Sequence, residues 1–144
     1  MSPPDAIAAL VHAYAERIDA GDLEGVAELF AHGTFGASRG PARRGVDELL
    51  AILRRVVILH DDGTPRTKHV VTNLTIAVDA TAGTATARSY FTVLQATATL
   101  PLQVIVAGRY EDRFARVGGT WRFTERAVHM DLLGDLSQHL RGDR

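Results

Sequence analysis

The chain has 144 residues, a formal net charge of −1 and no cysteine. This length fits one domain, and the near-neutral charge and scattered arginines argue against a nucleic-acid partner. Without cysteine, disulfides, thiolate metal sites and cysteine nucleophiles are excluded. The N-terminus lacks a basic segment followed by an apolar run, and no apolar run reaches the ~20 residues that span a bilayer. We therefore expect a single cytoplasmic domain over residues 1–144, with no membrane partner.

The first half of the chain predicts three helices. Ser2 can cap a helix that starts at the two prolines, repeats apolar residues at three- and four-residue spacing, and stops at Gly21. Asp22 can cap a second helix that runs to Phe30, and a third helix is predicted over 46–59. Residues 32–38 are expected to form a short extended piece, and residues 39–45 a loop.

From residue 67 the apolar pattern changes to a period of two, which predicts β-strands. Four strands are expected, over 67–78, 84–98, 102–116 and 120–132, with turns at 79–83 and 117–119. Residues 134–140 are expected to form a short terminal helix. Helices followed by a long-stranded antiparallel meander predict an α+β domain.

The first of these strands breaks its own alternation. Strict alternation places His69 and Asn73 on one face, and Leu74 and Ile76 on the other. Two interpretations remain open. A β-bulge near residues 72–73 can switch the phase, or the outer face of the sheet is apolar because it packs on a second subunit.

Three side chains carry the candidate chemistry. His69 lies near the start of its strand in apolar surroundings, and a neutral imidazole can both accept and donate a proton near pH 7. Asp19 ends the first helix and would form an acid–base dyad with His69 if the fold joins them. Tyr14, on the apolar face of the same helix, can flank the same cavity. Simpler interpretations remain open: a strand histidine bonded to a carbonyl, an aspartate that bonds the Gly21 turn, and a core tyrosine.

Other polar residues have simpler interpretations. Arg126 and His129 can be solvated, and Arg109, Glu111 and Asp112 with Arg113 are typical of cross-strand ion pairs of small energy. The six histidines show no metal-ligand spacing. The sequence has no phosphate loop, dinucleotide fingerprint or nucleophile elbow. We therefore expect neither a metal nor a cofactor.

The order of these pieces, and several motifs within them, resemble the SnoaL-like branch of the nuclear-transport-factor-2-like superfamily. The motifs are Tyr-Ala-Glu-Arg-Ile-Asp-Ala-Gly-Asp at 14–22, Leu-Phe at 29–30, His-Val-Val-Thr-Asn-Leu at 69–74, Gly-Arg-Tyr-Glu-Asp at 108–112 and Gly-Thr-Trp-Arg-Phe at 119–123, followed by Arg126. The resemblance covers nearly the whole chain. It implies a cone-shaped α+β roll, in which three N-terminal helices lie over a curved antiparallel sheet and enclose one apolar pocket.

Within this superfamily the pattern is most similar to scytalone dehydratase, bile-acid dehydratase and the dehydrochlorinase of hexachlorocyclohexane. These enzymes pair a helix-end Asp with a strand His as general base, and the matching positions here are Asp19 and His69. Arg126 matches an Arg of the dehydrochlorinase. Tyr14 replaces the dehydrochlorinase's helical Lys, while the bile-acid dehydratase has Tyr there. This difference argues against halide elimination and favours oxygenated substrates.

The resemblance implies a cofactor-independent lyase or isomerase, of dehydratase or cyclase type. Its substrate would be a small, largely apolar oxygenated molecule such as a polyketide, terpenoid or steroid-like intermediate. The superfamily also includes non-catalytic members, so a small-molecule-binding module or a structural subunit remains the alternative. The expected catalytic residues are Asp19, His69 and Tyr14, and the expected substrate-binding residues are Arg126, His129 and Tyr90.

A homodimer is expected through the outer face of the sheet. The later strands are apolar on both faces in places, and monomers rarely expose a large apolar patch. The residues concerned are Val93, Leu94, Leu102, Val104, Ile105, Val106, Tyr110 and Phe114.

Overall fold

A computed structural model describes residues 1–37 and 40–142 of the chain. The helices are α1 (Pro3–Asp19), α2 (Leu23–Glu28) and α3 (Gly45–Val56). The strands are β1 (Thr34–Ala37), β2 (Arg43–Arg44), β3 (Thr67–Asp79), β4 (Thr84–Gln95), β5 (Gln103–Val117) and β6 (Thr120–Leu133). They form one sheet in the order β2-β1-β6-β5-β4-β3, and the helices cover one of its faces. The predicted α+β architecture is confirmed.

The sheet is mixed rather than purely antiparallel. Strands β3 to β6 form the predicted antiparallel meander, but β1 pairs in parallel with β6, and β2 pairs antiparallel with β1. Strand β1 is the extended piece predicted over 32–38, whereas β2 lies inside the predicted loop over 39–45. Ser38 and Arg39, which these two predictions include, lie outside the described residues.

The predicted ends of two elements, and one predicted helix, are wrong. Helix α3 ends before Val57, because Val57 adopts an extended backbone and pairs with Leu140. Strand β4 ends at Gln95, because the backbone turns between Thr97 and Leu100, whose N–H and C=O groups bond each other. The segment predicted as a terminal helix over 134–140 is instead a turn that leads into the Leu140 pairing. After α3 and in the terminal segment, the pairing of Val57 with Leu140, which is distant in sequence, replaces the local pattern.

A β-bulge in β3 explains the broken alternation. The pairing of β3 with β4 shifts register between Thr72 and Thr75, and Asn73 has a left-handed φ of 55°. Asparagine enters this region more easily than β-branched residues do. The extra residue switches the phase, so that His69 and Leu74 both face the helices. The bulge interpretation is therefore confirmed, and no second subunit is needed to explain the pattern.

The core lies between the helices and the sheet and is rich in aromatic rings. Gly108 of β5 has no side chain, which lets it lie close to β6 and to the Phe91 ring. A Cβ at this position would collide with the His129 carbonyl and the Phe91 ring. The core aromatic residues are Tyr14, Phe30, Phe91, Tyr110, Phe114, Trp121 and Phe123. Among the described residues, no helix combines the length and the apolar character needed to cross a bilayer.

Candidate active site

Asp19 and His69 meet where α1 ends against β3. His69 Nδ1 lies 2.6 Å from Asp19 Oδ1, and the His69 backbone N–H donates to Oδ2 over 2.8 Å. The Thr67 hydroxyl donates a further bond to Oδ1 over 2.8 Å. The side chains of His69 and Asp19 are 6% and 11% exposed. Because a carboxylate only accepts, Nδ1 carries a hydrogen, and Nε2 of the neutral ring is left with a lone pair. The predicted contact is confirmed, whereas the enclosed cavity expected beside it stays a prediction.

The end of α1 is set by local sequence. Gly21 has a φ of 78°, which suits glycine, and the side chain of Asp22 accepts from the Gly25 N–H over 2.9 Å to cap α2. Asp22, and not Asp19, therefore provides the side-chain cap after the turn, and Asp19 bonds His69 and Thr67 instead. Gly21 also packs so closely on the Gly63 carbonyl that a Cβ would collide with it. This contact seats the helix end beside the segment that leads into β3.

The Asp19 carboxyl group should make stability depend on pH. Burial raises the pKa of Asp19, but the hydrogen bonds from His69 and Thr67 outweigh burial and hold the pKa below its ordinary value of 3.8. A group with a lowered folded-state pKa stabilises the fold fully above its unfolded-state pKa, and this stabilisation is lost as the pH falls through the folded-state pKa. The difference in unfolding free energy between wild type and Asp19→Asn should therefore shrink below about pH 4.

Urea unfolding at several pH values measures this difference. Thr67→Val removes only one of the bonds to the carboxylate and serves as the graded comparison, with a smaller pH-dependent change. A difference between wild type and Asp19→Asn that stays constant as the pH falls would contradict the prediction.

Tyr14 lies between the dyad and a buried arginine. Its ring packs edge-on against the His69 ring, with the centroids 6.3 Å apart. The guanidinium carbon of Arg126 lies 4.5 Å from the Tyr14 ring centroid. Burial raises the pKa of Tyr14 to about 12, against the lowering effect of Arg126. The phenol is therefore protonated at neutral pH and can donate a hydrogen bond.

Arg126 is held in the core by a carboxylate. Its Nε and Nη2 donate to the two carboxylate oxygens of Asp112 over 2.8 and 2.9 Å, and both side chains are 0% exposed. The guanidinium carbon also lies 3.7 Å from the Tyr110 ring centroid. Nη1 has no hydrogen-bond partner among the described residues. Asp112 thus forms a cross-strand ion pair, as the sequence predicted, but the pair is fully buried.

Tyr90 and His129 lie on the opposite face of the sheet. Tyr90 is 53% exposed, and His129 Nε2 lies 3.2 Å from Glu111 Oε1. The exposed pair of Arg109 and Asp131 shares this face. Each residue is out of phase with the inward-facing positions of its strand. The prediction that Tyr90 and His129 bind the same substrate as the dyad is therefore wrong.

His139 is a neighbour of the dyad that sequence reasoning missed. Its ring centroid lies 6.0 Å from that of His69, and the residue is 6% exposed. Thr67 was missed as well, although its hydroxyl bonds Asp19. A single sequence carries no local signal for either residue, because both reach the site through pairings distant in sequence.

The site combines a carboxylate, imidazoles and a phenol. Asp19 orients His69 and can stabilise its protonated ring, while Nε2 can accept a proton. Tyr14 can donate to an oxygen that gains charge. Over residues 1–37 and 40–142, no group of three or more His, Asp or Glu side chains is arranged to hold a metal ion.

Comparison with known proteins identifies relatives of the whole fold. The family model described as the SnoaL-like domain matches residues 4–127. The Mycobacterium tuberculosis protein Rv3472, of unknown function and solved as a single-substitution variant, is 32% identical, with a TM-score of 0.71. That match covers 92% of this chain and 78% of the other. None of the curated proteins matches.

Two solved structures from Novosphingobium aromaticivorans share the fold. A candidate scytalone dehydratase is 23% identical, with a TM-score of 0.72, over 92% of this chain and 86% of that one. The β subunit of a candidate aromatic-ring-hydroxylating dioxygenase is 22% identical, with a TM-score of 0.70, over 90% and 89%. At such identities the likeness shows the fold alone. The family model, however, spans most of the sequence, and the chain belongs to the SnoaL-like domain family.

Proposed function

We propose that the protein is a cofactor-independent acid–base lyase or isomerase, of dehydratase or cyclase type. Its substrate is a small, largely apolar oxygenated molecule, such as a polyketide, terpenoid or steroid-like intermediate. The observation that carries the proposal is the 2.6 Å contact between Asp19 and His69. Family membership and a structural relative described as a candidate scytalone dehydratase support the reaction class.

In this proposal His69 is the general base. Its Nε2 removes a proton from a carbon next to a carbonyl, and Asp19 stabilises the imidazolium that forms. Tyr14 donates a hydrogen bond to the developing oxyanion or the leaving oxygen. Arg126 contributes through Nη1, which has no partner among the described residues and can donate to a substrate oxygen.

A small ketone tests the base directly. 1-Tetralone is an apolar bicyclic ketone with exchangeable protons beside its carbonyl. In D₂O the wild-type protein should accelerate the exchange of these protons, which NMR follows, and cyclic hydroxyketones test the loss of water. A panel in which the protein neither exchanges protons nor eliminates water would favour the alternative, a binding module or a structural subunit. The dioxygenase β subunit shows that this fold occurs in the latter setting.

The second part of the proposal is that the outer face of the sheet forms a homodimer interface. Val70, Tyr90, Val104 and Leu132 are exposed there. Beside them lies a cleft of about 540 Å³ with charged side chains in its wall. Five residues that the sequence assigned to the interface are instead buried within the monomer: Val93, Ile105, Val106, Tyr110 and Phe114. The interface is therefore smaller than the sequence predicts.

Light scattering should give a dimer at micromolar concentration. Val104→Glu and Leu132→Glu place a charge in the proposed interface and should give a monomer. Leu59→Glu is the matched control, because Leu59 is an exposed apolar residue that follows α3, away from this face. A monomeric wild-type protein would refute the interface.

A further inference from the structure

His139 is held beside the dyad by the C-terminal segment 134–142. The Ile58 N–H donates to the His139 carbonyl over 2.9 Å. Gln95 Nε2 donates to the carbonyl of the preceding residue, Gln138, over 3.0 Å. These bonds join the segment to the chain after α3 and to the end of β4. The backbone of His139 is therefore fixed from two sides.

The ring of His139 carries an unused polar atom. The residue is 6% exposed, yet Nδ1 finds no hydrogen-bond partner within the part of the chain that the structure describes. A buried polar atom without a partner costs stability, so its presence in a folded protein calls for an explanation. The His69 ring lies nearby, edge-on, with the two centroids 6.0 Å apart. A ligand in contact with His69 is therefore within reach of His139.

The ring of His139 is uncharged near neutral pH. Burial, reinforced by the positive charge of protonated His69, lowers the pKa of His139 to about 4. A neutral imidazole has one N–H and one lone pair, which suit a carbonyl or hydroxyl oxygen.

We propose that His139 is a substrate-binding residue, whose ring forms a hydrogen bond with the oxygen of the molecule bound beside His69. This bond would decide which carbon of the ligand faces the base. The inference rests on the proposed function only in placing a ligand beside the dyad, and a non-catalytic binding module would use the same contact.

Two probes that differ by one oxygen test the inference. 1-Tetralone has the carbonyl, and tetralin is the corresponding hydrocarbon. In calorimetric titrations the wild-type protein should bind 1-tetralone roughly 2- to 12-fold more tightly than tetralin, the net contribution of one hydrogen bond. His139→Phe should abolish this preference and leave the tetralin affinity unchanged. His139→Asn, whose amide places a polar atom near the position of Nδ1, should restore part of it. His12→Phe, at an exposed histidine of α1, is the control.

Equal affinity of the wild type for the two compounds, including no binding of either, would overturn the inference. A ketone preference that survives in His139→Phe would overturn it as well. Thermal unfolding gives a readout that needs no ligand. His139→Phe removes an unpaired buried nitrogen, so its Tm should match or exceed that of the wild type. A Tm lowered by more than about 4–8 °C would show that the imidazole holds the fold together instead.

Turnover measurements distinguish a failure of this inference from a failure of the proposed function. If the ketone preference depends on His139 but no compound is turned over, His139 binds ligand oxygen and the acid–base assignment fails. If turnover depends on His69 while the ketone preference is the same in His139→Phe, the acid–base assignment stands and the role of His139 fails.

Discussion

Replacing His69 by alanine is expected to lower the rate of proton exchange, or of turnover of an identified substrate, by about 10²–10⁴-fold. The imidazole is the base itself, and the Thr67 hydroxyl, which also bonds Asp19, cannot take its place. Initial rates measured by NMR in D₂O give the comparison. His12→Ala, at an exposed histidine of α1, is the matched control and should keep the wild-type rate.

The other site variants should lower the rate by the same factor as His69→Ala or by a smaller one. Asp19→Asn keeps the shape of the side chain but removes the charge that favours the imidazolium, so its effect should be similar or smaller. Tyr14→Phe removes one hydrogen bond to an oxyanion, which costs ~2.7–4 kcal/mol if the bond forms in the transition state. Binding should survive in all three variants, because apolar contacts supply most of the affinity. A His69→Ala protein with the wild-type rate would disprove the mechanism.

Removing one partner of the buried Arg126–Asp112 pair should cause a large loss of stability. Both side chains are 0% exposed, so Asp112→Ala leaves the guanidinium without its carboxylate in the core. Breaking a buried pair in this way typically costs about 3–5 kcal/mol of unfolding free energy. Urea unfolding at neutral pH measures the loss. Asp131→Ala breaks the exposed pair with Arg109 and should cost far less.

Replacing both partners should recover much of this loss. In the double variant Asp112→Leu, Arg126→Met, no unpaired charge remains in the core, and apolar side chains fill most of the space. If Asp112→Ala destabilises no more than Asp131→Ala, the pair does not hold the core in the way described here. Equal losses in the single and double variants would instead assign the cost to packing.

Local signals explain why much of the fold could be predicted. Ser2 caps α1 and Gly21 ends it, as each residue's chemistry requires, and the broken alternation in β3 locates the bulge within two residues. The contact between Asp19 and His69 joins residues 50 positions apart. It could be predicted only from matched family positions, because periodicity says nothing about which helix end meets which strand.

The partner of Arg126 could not be predicted, because it depends on the register in which β5 pairs with β6. Asp112 and Arg126 are opposite each other on β5 and β6, but the pairing of these strands shifts between Arg113 and Phe114. A regular hairpin counted from the turn at 117–119 would give Arg126 a different partner. Because a bulge adds a residue to one strand only, counting from the turn gives the wrong partner unless the position of the bulge is already known.

The helix predicted over residues 134–140 is wrong for a different reason. Leu136 and Leu140 are four residues apart, which suits one face of a helix. The same spacing suits a turn that is anchored at both ends, and Leu140 is held by its pairing with Val57. His139 enters the site only because this tertiary pairing prevails over the helical pattern.

The bulge at Asn73 divides β3 into two parts that serve different purposes. The part before it presents His69 to Asp19, and the part after it presents Leu74 and Ile76 to the core. Deleting the extra residue would restore strict alternation and keep His69 and Leu74 on one face, whereas inserting one more residue would turn one part of the strand inside out. The evolutionary consequence is an asymmetry: this strand should tolerate the loss of one residue better than the gain of one, so related chains should keep the present spacing from the histidine to the core residues or a spacing one residue shorter.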